Sequence, residues 1–361
     1  MTAKMTRARP EVSRMFCQSA FLSEYQTTDK TPNRGCMTTP IRFLPYLRPM
    51  VWGSRRLADI LGKTLPSASA YGESWEVSSH PVHQSIVAEG SWAGRSLGRL
   101  VQEKASDLFG SISLNEFPWL IKFIDADDWL SVQVHPDDEK VKTLWPGERG
   151  KTEAWFVIAA EAGSRIYAGL LDGVAEKDLR AALADGEVTR CLHSFTPQAG
   201  DCLFLPAGTV HAVGGGVVIA EVQQTSDATF RLFDWNRRDA NGQFRPLHIE
   251  QALASIDWTS GPVEAVRVPE FAACTETEVA RPLVRCPYFD LDYVHVVGES
   301  WRAESTGLHA LIVLSGSGHL LSADLRTSVT RGQVWLVPAF SDYDIQPSGS
   351  LKLLVCSLPA K

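Results

Sequence analysis

The sequence lacks any apolar run near the ~18–20 residues that cross a bilayer, which excludes an integral protein of helical spans. It has no CxxC pair. Its seven cysteines, at 17, 36, 191, 202, 274, 286 and 356, are odd in number and scattered. That argues against a disulfide framework or a cysteine zinc site and fits reduced thiols in a cytoplasmic protein. The P-loop pattern GxxxxGK[ST] is missing, so any phosphate must be held by side chains and exposed amides. There is no excess of basic residues. A net charge of -7 argues against a general nucleic-acid surface.

What is present is an ordinary globular composition, 44% hydrophobic and 21% charged. A length of 361 residues suggests two domains. Charge is uneven along the chain. Residues 1–36 carry six Lys/Arg against three acids, leaving about -10 for the remainder. Four of the five methionines lie at or before Met37, and none follows Met50. The leader has no 7–15-residue apolar segment of the secretory kind. A targeting peptide competes with a disordered extension over 1–38, with Met37 as an alternative start, and the second reading is preferred.

Beyond residue 40, short apolar runs bounded by Gly, Pro or Asp predict strands at Trp155–Ala159, Cys202–Leu205, Val217–Val222, Leu311–Leu314 and Val334–Val337. Helical spacing predicts helices over 94–109 and 175–187. Many short strands and few helices give a mostly β fold, a sandwich or barrel with short helical insertions. An internal repeat supports a pair of such units. Gly200–His211 reads GDCLFLPAGTVH and Gly332–Tyr343 reads GQVWLVPAFSDY. Each has a turn glycine, a five-residue strand, Pro-Ala, and a side-chain handle eleven residues after the glycine.

The first copy matches G-x5-P-x-G-x2-H, a cupin-barrel motif, and ends in His211. The second ends in Tyr343. Upstream, SVQVHPDD places Gln133 and His135 two apart, on one face of a strand. KTEAWFV opens a strand with Glu153. Gln133, His135, Glu153 and His211 form a mixed N/O donor set suited to zinc or another divalent first-row metal. Downstream, IAEVQQTSDATFRLFDWNRR holds Glu221 and Arg231, with Ser226 and Asp227 between. A solvated hairpin is the bland reading of those charges. An arginine near a metal suits a phosphate or oxyanion.

Taken together, GESWEVSSHP, QVHPDD, KTEAWFV, PAGTVHAVGGG and EVQQTSDATFRLFDW resemble the type I mannose-6-phosphate isomerases, short bacterial branch, over roughly residues 41–361. The resemblance implies two cupin-like domains, a catalytic metal-binding one over 39–262 and a C-terminal one without a metal site over 263–361. It implies one Zn2+ per chain on Gln133, His135, Glu153 and His211, a catalytic Arg231, and Lys151 and Glu221 as candidate bases. It implies a small sugar-phosphate substrate and interconversion of mannose 6-phosphate and fructose 6-phosphate through a cis-enediol, with Lys151, Arg231, Arg237 and Ser226 as phosphate candidates and Trp52 and Trp75 as candidates to line the sugar pocket, against the bland readings of solvated loop charge and core packing. No membrane or nucleic-acid partner is expected. The competing class is another metal-binding cupin, an iron dioxygenase or a non-catalytic sugar-binding protein. Two departures from the family pattern stand out. Asp137 and Asp138 follow the HP dipeptide where a lysine is common, and Thr152 replaces a frequent proline.

Overall fold

The structure is a computed structural model that describes residues 39–238, 242–273, 279–303, 307–322 and 325–359. The extension expected over 1–38 lies outside the described residues. All strand pairs among the described residues are antiparallel, in three sheets and one short hairpin.

Two sheets make the first barrel. One runs in the order Val266–Arg267, Asp201–Leu205, Glu153–Ala160, Val217–Gln224, Trp119–Ala126, Tyr71–Val77, Tyr46–Ser54. The other runs Leu192–Phe195, Ile166–Leu170, His211–Val213, Val132–Val134, Phe230–Phe233. Trp155, Val157, Leu203 and Ile219 of the first meet Ile166, Ala168 and Val213 of the second in a buried interior. Successive strand residues point to opposite faces. Ala154, Phe156, Val218, Ala220, Ile121 and Phe123 therefore leave that interior and pack outward against Leu291, Tyr293, Ile312 and Leu354 of the C-terminal sheet. Covered on both faces, Trp119–Ala126 and Val217–Gln224 are buried at every position.

The C-terminal sheet has eight strands, with Ile41–Arg42, Val334–Val337, His309–Ser322, Tyr343–Ser357, Asp290–Val297 and Val279–Arg285 as its main path. Its 14- and 15-residue strands are much longer than the run expected at Leu311–Leu314. Glycines conceal them in the sequence. Gly316 has a φ of 85° at a break in pairing register, and a Cβ there would meet the Ser350 carbonyl at 2.1 Å. Strand pairing also crosses the expected boundary at 262/263. Val266–Arg267 pairs with Asp201 and Cys202 of the first barrel, and Ile41–Arg42 pairs with Leu336 and Trp335 of the second. Two-residue edge strands are too short for a sequence pattern to register.

The helices form close to their expected positions. Leu97–Phe109 starts at Ser96, whose hydroxyl accepts from the Arg99 amide (3.3 Å), and buries Leu97, Leu100, Val101 and Leu108. Glu176–Asp185 ends at Gly186 in the left-handed conformation.

Both repeat copies fold alike. Gly200 and Gly332 have φ of 94° and 78°, each opening its strand, and the strands end at Pro206 and Pro338. The last residues, His211 and Tyr343, each begin the next strand. The two interiors differ. Tyr343 sits among Val294, Leu311, Trp335, Ile345 and Leu353, and its hydroxyl is 3.0 Å from His309 Nδ1. The copies share a third backbone feature. Gly208 (φ 92°) and Phe340 (φ 58°) occupy the same repeat position, so a bulky residue holds a left-handed turn in the second copy. Phe340 is 68% exposed and contributes little burial in return. Phe340→Gly is expected to raise stability by ~0.5–1 kcal/mol in chemical denaturation, the left-handed cost of a side chain less the added freedom of glycine in the unfolded chain. Gly208→Ala is expected to lower it by at least ~1 kcal/mol, since its Cβ would meet the Asp257 amide at 2.9 Å.

Candidate active site

Strand register brings the candidate residues together. In the five-stranded sheet, Arg231 pairs with Gln133 and Gln133 with His211, so the three stand in a row across neighbouring strands. In the seven-stranded sheet, Glu221 lies between Lys122 and Trp155, and Gln223 opposite Glu153. Period-two alternation aims Lys122, Glu221 and Glu153 into the barrel interior while their apolar neighbours pack outward.

His135, Glu153 and His211 are buried, with ligand atoms within 4.8 Å of one another. His135 Nδ1 donates to the Ala228 carbonyl (2.7 Å) and His211 Nδ1 to the Thr209 carbonyl (2.9 Å). Each ring is thereby fixed in the tautomer that leaves Nε2 as an acceptor facing Glu153. His211 Nε2 is 3.3 Å from Glu153 Oε1 and His135 Nε2 is 3.5 Å from Oε2. The Gln133 amide lies 3.3 Å from His211 Nε2, and a half-turn of that amide presents its oxygen instead. Burial, with Lys151 beside them, pushes both imidazoles down, His211 to about 4, so they stay neutral. Glu153 is 1% exposed, its Oε2 lies 2.7 Å from the Lys151 ammonium, and its Oε1 has no hydrogen-bond partner. Two neutral imidazole nitrogens, a buried carboxylate and an amide form a donor set that a divalent cation fits.

A cation already stands beside it. Lys151 Nζ is 2.7 Å from Glu153 Oε2, 3.0 Å from His135 Nε2 and 3.5 Å from Glu221 Oε1. The chain of charges continues through Lys122, 3.4 Å from Glu221, while Glu73 pairs with Arg48 at 2.8 Å. Burial opposes the charge on Lys122, yet Glu221, Glu73 and other acids outweigh it and raise its pKa. Burial pushes Glu221 up, against the pull of Lys122.

Lys151, Glu221, Lys122, Glu73 and Gln133 line a cleft of about 270 Å³ that also shows Trp52, Trp145, Trp155, Arg231, Arg245 and His248, whereas His135, Glu153 and His211 are not among its lining residues. A larger hollow of about 520 Å³ beside His80 and Arg149 holds none of the candidate ligands. Arg231 donates to the Pro246 carbonyl (2.9 Å), and its buried Nε has no partner. Burial and neighbouring Arg245 lower its pKa, but a guanidinium stays charged.

Other sequence candidates have structural duties. Arg237 is held by Asp234 (2.8 Å), Asp128 (3.0 Å) and the Trp129 carbonyl (2.6 Å). Ser226 donates to the Arg149 carbonyl (2.8 Å) and accepts from the Ala228 amide (3.2 Å). Trp75 is fully buried, its Nε1 on Glu73 at 2.8 Å, and does not line the cleft, whereas Trp52 does. Lys122, Glu73 and Arg245 were missed. Lys122 leaves a trace, a lone cation at an inward position of the apolar run WLIKFIDA. Arg245 leaves none, because it comes from a loop. The departures also find places. Asp137 accepts from the amides of Glu139 (2.9 Å) and Lys140 (2.7 Å), and the Thr152 amide donates to Gln224 Oε1 (2.9 Å), a bond proline could not make.

A cupin-like pair of barrels with a buried His–Glu–His cluster in one of them defines the class. The model of the phosphomannose isomerase type I catalytic domain matches residues 42–151. The chain is 33% identical over 305 residues to mannose-6-phosphate isomerase ManA of Bacillus subtilis, covering 83% of this chain and 93% of that protein. It is 35% identical over 303 residues to a mannose-6-phosphate isomerase of Streptococcus mutans, covering 84% and 93%. A crystal structure of the mannose 6-phosphate isomerase from Bacillus subtilis superposes with a TM-score of 0.78 at 29% identity, over 88% of this chain and 99% of that one. The chain belongs to the type I mannose-6-phosphate isomerase family.

Among the described residues, one group of His, Cys, Asp or Glu side chains has ligand spacing. Metal analysis of purified protein is expected to give one tightly held ion per chain. Two would contradict the apolar filling of the second barrel.

Proposed function

We propose that the chain interconverts mannose 6-phosphate and fructose 6-phosphate in the cytoplasm through a cis-enediol, with one Zn2+ per chain on Gln133, His135, Glu153 and His211. The carrying observation is Lys151 Nζ, wedged between His135 Nε2, Glu153 and Glu221 at the floor of the cleft. When bound, the ion supplies Lewis-acid stabilisation of charge on substrate oxygens. Moving a proton between C1 and C2 needs a group that gives and takes it on one face of the sugar. Lys151 and Glu221 are within reach of each other and of the cleft, so the pair has that role. Arg231, permanently charged with an unpaired Nε, suits the developing enediolate or the phosphate. Family membership and the two buried lysines favour this reading over an iron dioxygenase or a sugar-binding module, neither of which requires Lys122 and Lys151 beside the carboxylates.

A coupled assay of mannose 6-phosphate conversion tests it. Turnover is expected to vanish on chelation and return with Zn2+; turnover indifferent to chelation would sink the metal-dependent mechanism. His211→Ala is expected to lose both metal and activity. Arg231→Ala is expected to keep its metal and lose about 10²–10³-fold in kcat. Metal loss from that variant would refute the division of roles. Lys151→Met and Glu221→Gln are each expected to cost about 10²–10⁴-fold in kcat.

A further inference from the structure

We propose that Tyr288, in the C-terminal barrel, is a positioning residue for the metal centre of the first barrel, acting through Asp138. The inference rests on the metal-centre reading above.

Asp138 lies three residues after His135, and its carboxylate gathers three segments of the site. Oδ1 accepts from the Gly150 amide (3.0 Å), three residues before Glu153 and next to Lys151. It also accepts from Gln224 Nε2 (3.2 Å), three residues after Glu221. Gln224 Oε1 in turn accepts from the Thr152 amide (2.9 Å), between Lys151 and Glu153. The Lys151 amide closes the set on the Pro136 carbonyl (3.0 Å). Gly150 is needed for this approach, because a Cβ there would fall 2.5 Å from the Asp138 amide nitrogen. One carboxylate therefore sets the spacing of the backbones that carry His135, Lys151, Glu153 and Glu221.

The remaining oxygen of that carboxylate is held from the other barrel. The Tyr288 hydroxyl donates to Asp138 Oδ2 at 2.7 Å. Tyr288 sits in the turn between Val279–Arg285 and Asp290–Val297, and Trp119 Nε1 fixes that turn by donating to the Tyr288 carbonyl (3.0 Å). The C-terminal barrel, whose own interior is apolar, thus reaches the back of the centre with one directional bond. Metal ligands are tuned by such outer contacts as well as by their own atoms.

The experiment uses the full chain. Tyr288→Phe deletes one oxygen and keeps the ring. It is expected to retain the fold by circular dichroism, to weaken Zn2+ by about tenfold in chelator competition, and to lower kcat more than it raises KM. Asp138→Asn is expected to weaken Zn2+ at least as much. Adding Tyr288→Phe to Asp138→Ala, which leaves the hydroxyl no side-chain partner at that position, should change affinity no further than Asp138→Ala alone. Wild-type affinity and kcat in Tyr288→Phe, whatever its melting temperature, would overturn the proposal. So would fully additive losses in the double variant. Failure of the isomerase reading would instead appear as absent turnover in the unmodified protein, with the affinity measurements still decisive.

Discussion

A carboxylate 1% exposed at the floor of a barrel sets the terms for everything around it. Removing an ion such as Glu153 from water costs several kcal/mol even after relaxation, and Glu221 beside it repeats the cost. No surface counter-ion can offset that. The fold answers with two lysines that are themselves buried, Lys151 and Lys122, at 2.7 and 3.4 Å from their partners. The neutral Nε2 atoms of two histidines are oriented by backbone carbonyls behind them. A divalent ion on the same donors would complete the compensation. The charge on this face is costly as structure and useful as chemistry, which is the expected signature of a functional site.

Two similar β units have been put to different uses. In the first, the strand interior exchanges apolar packing for Lys122, Glu153 and Glu221, and the histidine at the repeat's end joins them. In the second, Trp335 and Tyr343 fill the corresponding space. The second unit covers the outer face of the seven-stranded sheet. Every inward charge of that sheet therefore rests on a strand packed from behind by Leu291, Tyr293 and Ile312. Rigid backing of this kind is what a site needs when its ligands must hold their places without solvent to relax into. It also explains why a chain with net charge -7 can present a cationic cleft. Arg48, Lys122, Lys151, Arg231 and Arg245 line it against Glu73, Glu221 and Asp227, and the total says nothing about where they stand.

Much of this was legible in the sequence. The strand Val334–Val337 follows from a short apolar run bounded by Gly and Pro, and the helix Leu97–Phe109 from helical spacing over 94–109. The Gly–strand–Pro-Ala repeat marks two units in the linear chain. A spacing of two puts Gln133 and His135 on one strand face, and Glu153, His211, Glu221 and Arg231 stand out as companions in short motifs shared with the family. What escaped had no local period to betray it. The two-residue strands Ile41–Arg42 and Val266–Arg267 are too short, and the long C-terminal strands are interrupted by glycines at bulges. Arg237 and Ser226 look like free polar groups in the linear chain, yet Asp234 and the Arg149 carbonyl engage them.

The sequence by itself determined the residue types, the period that aims them inward, and the family to which they are kin, since these are properties of neighbours along the chain. Tertiary structure alone decided which of them meet. Cross-strand register set Lys122 beside Glu221 and Arg231 beside Gln133. Burial left Glu153 with the Lys151 ammonium against one of its oxygens. A tyrosine 150 positions away found Asp138. Those outcomes depend on distances between segments that share no sequence neighbourhood, and only packing fixes such distances.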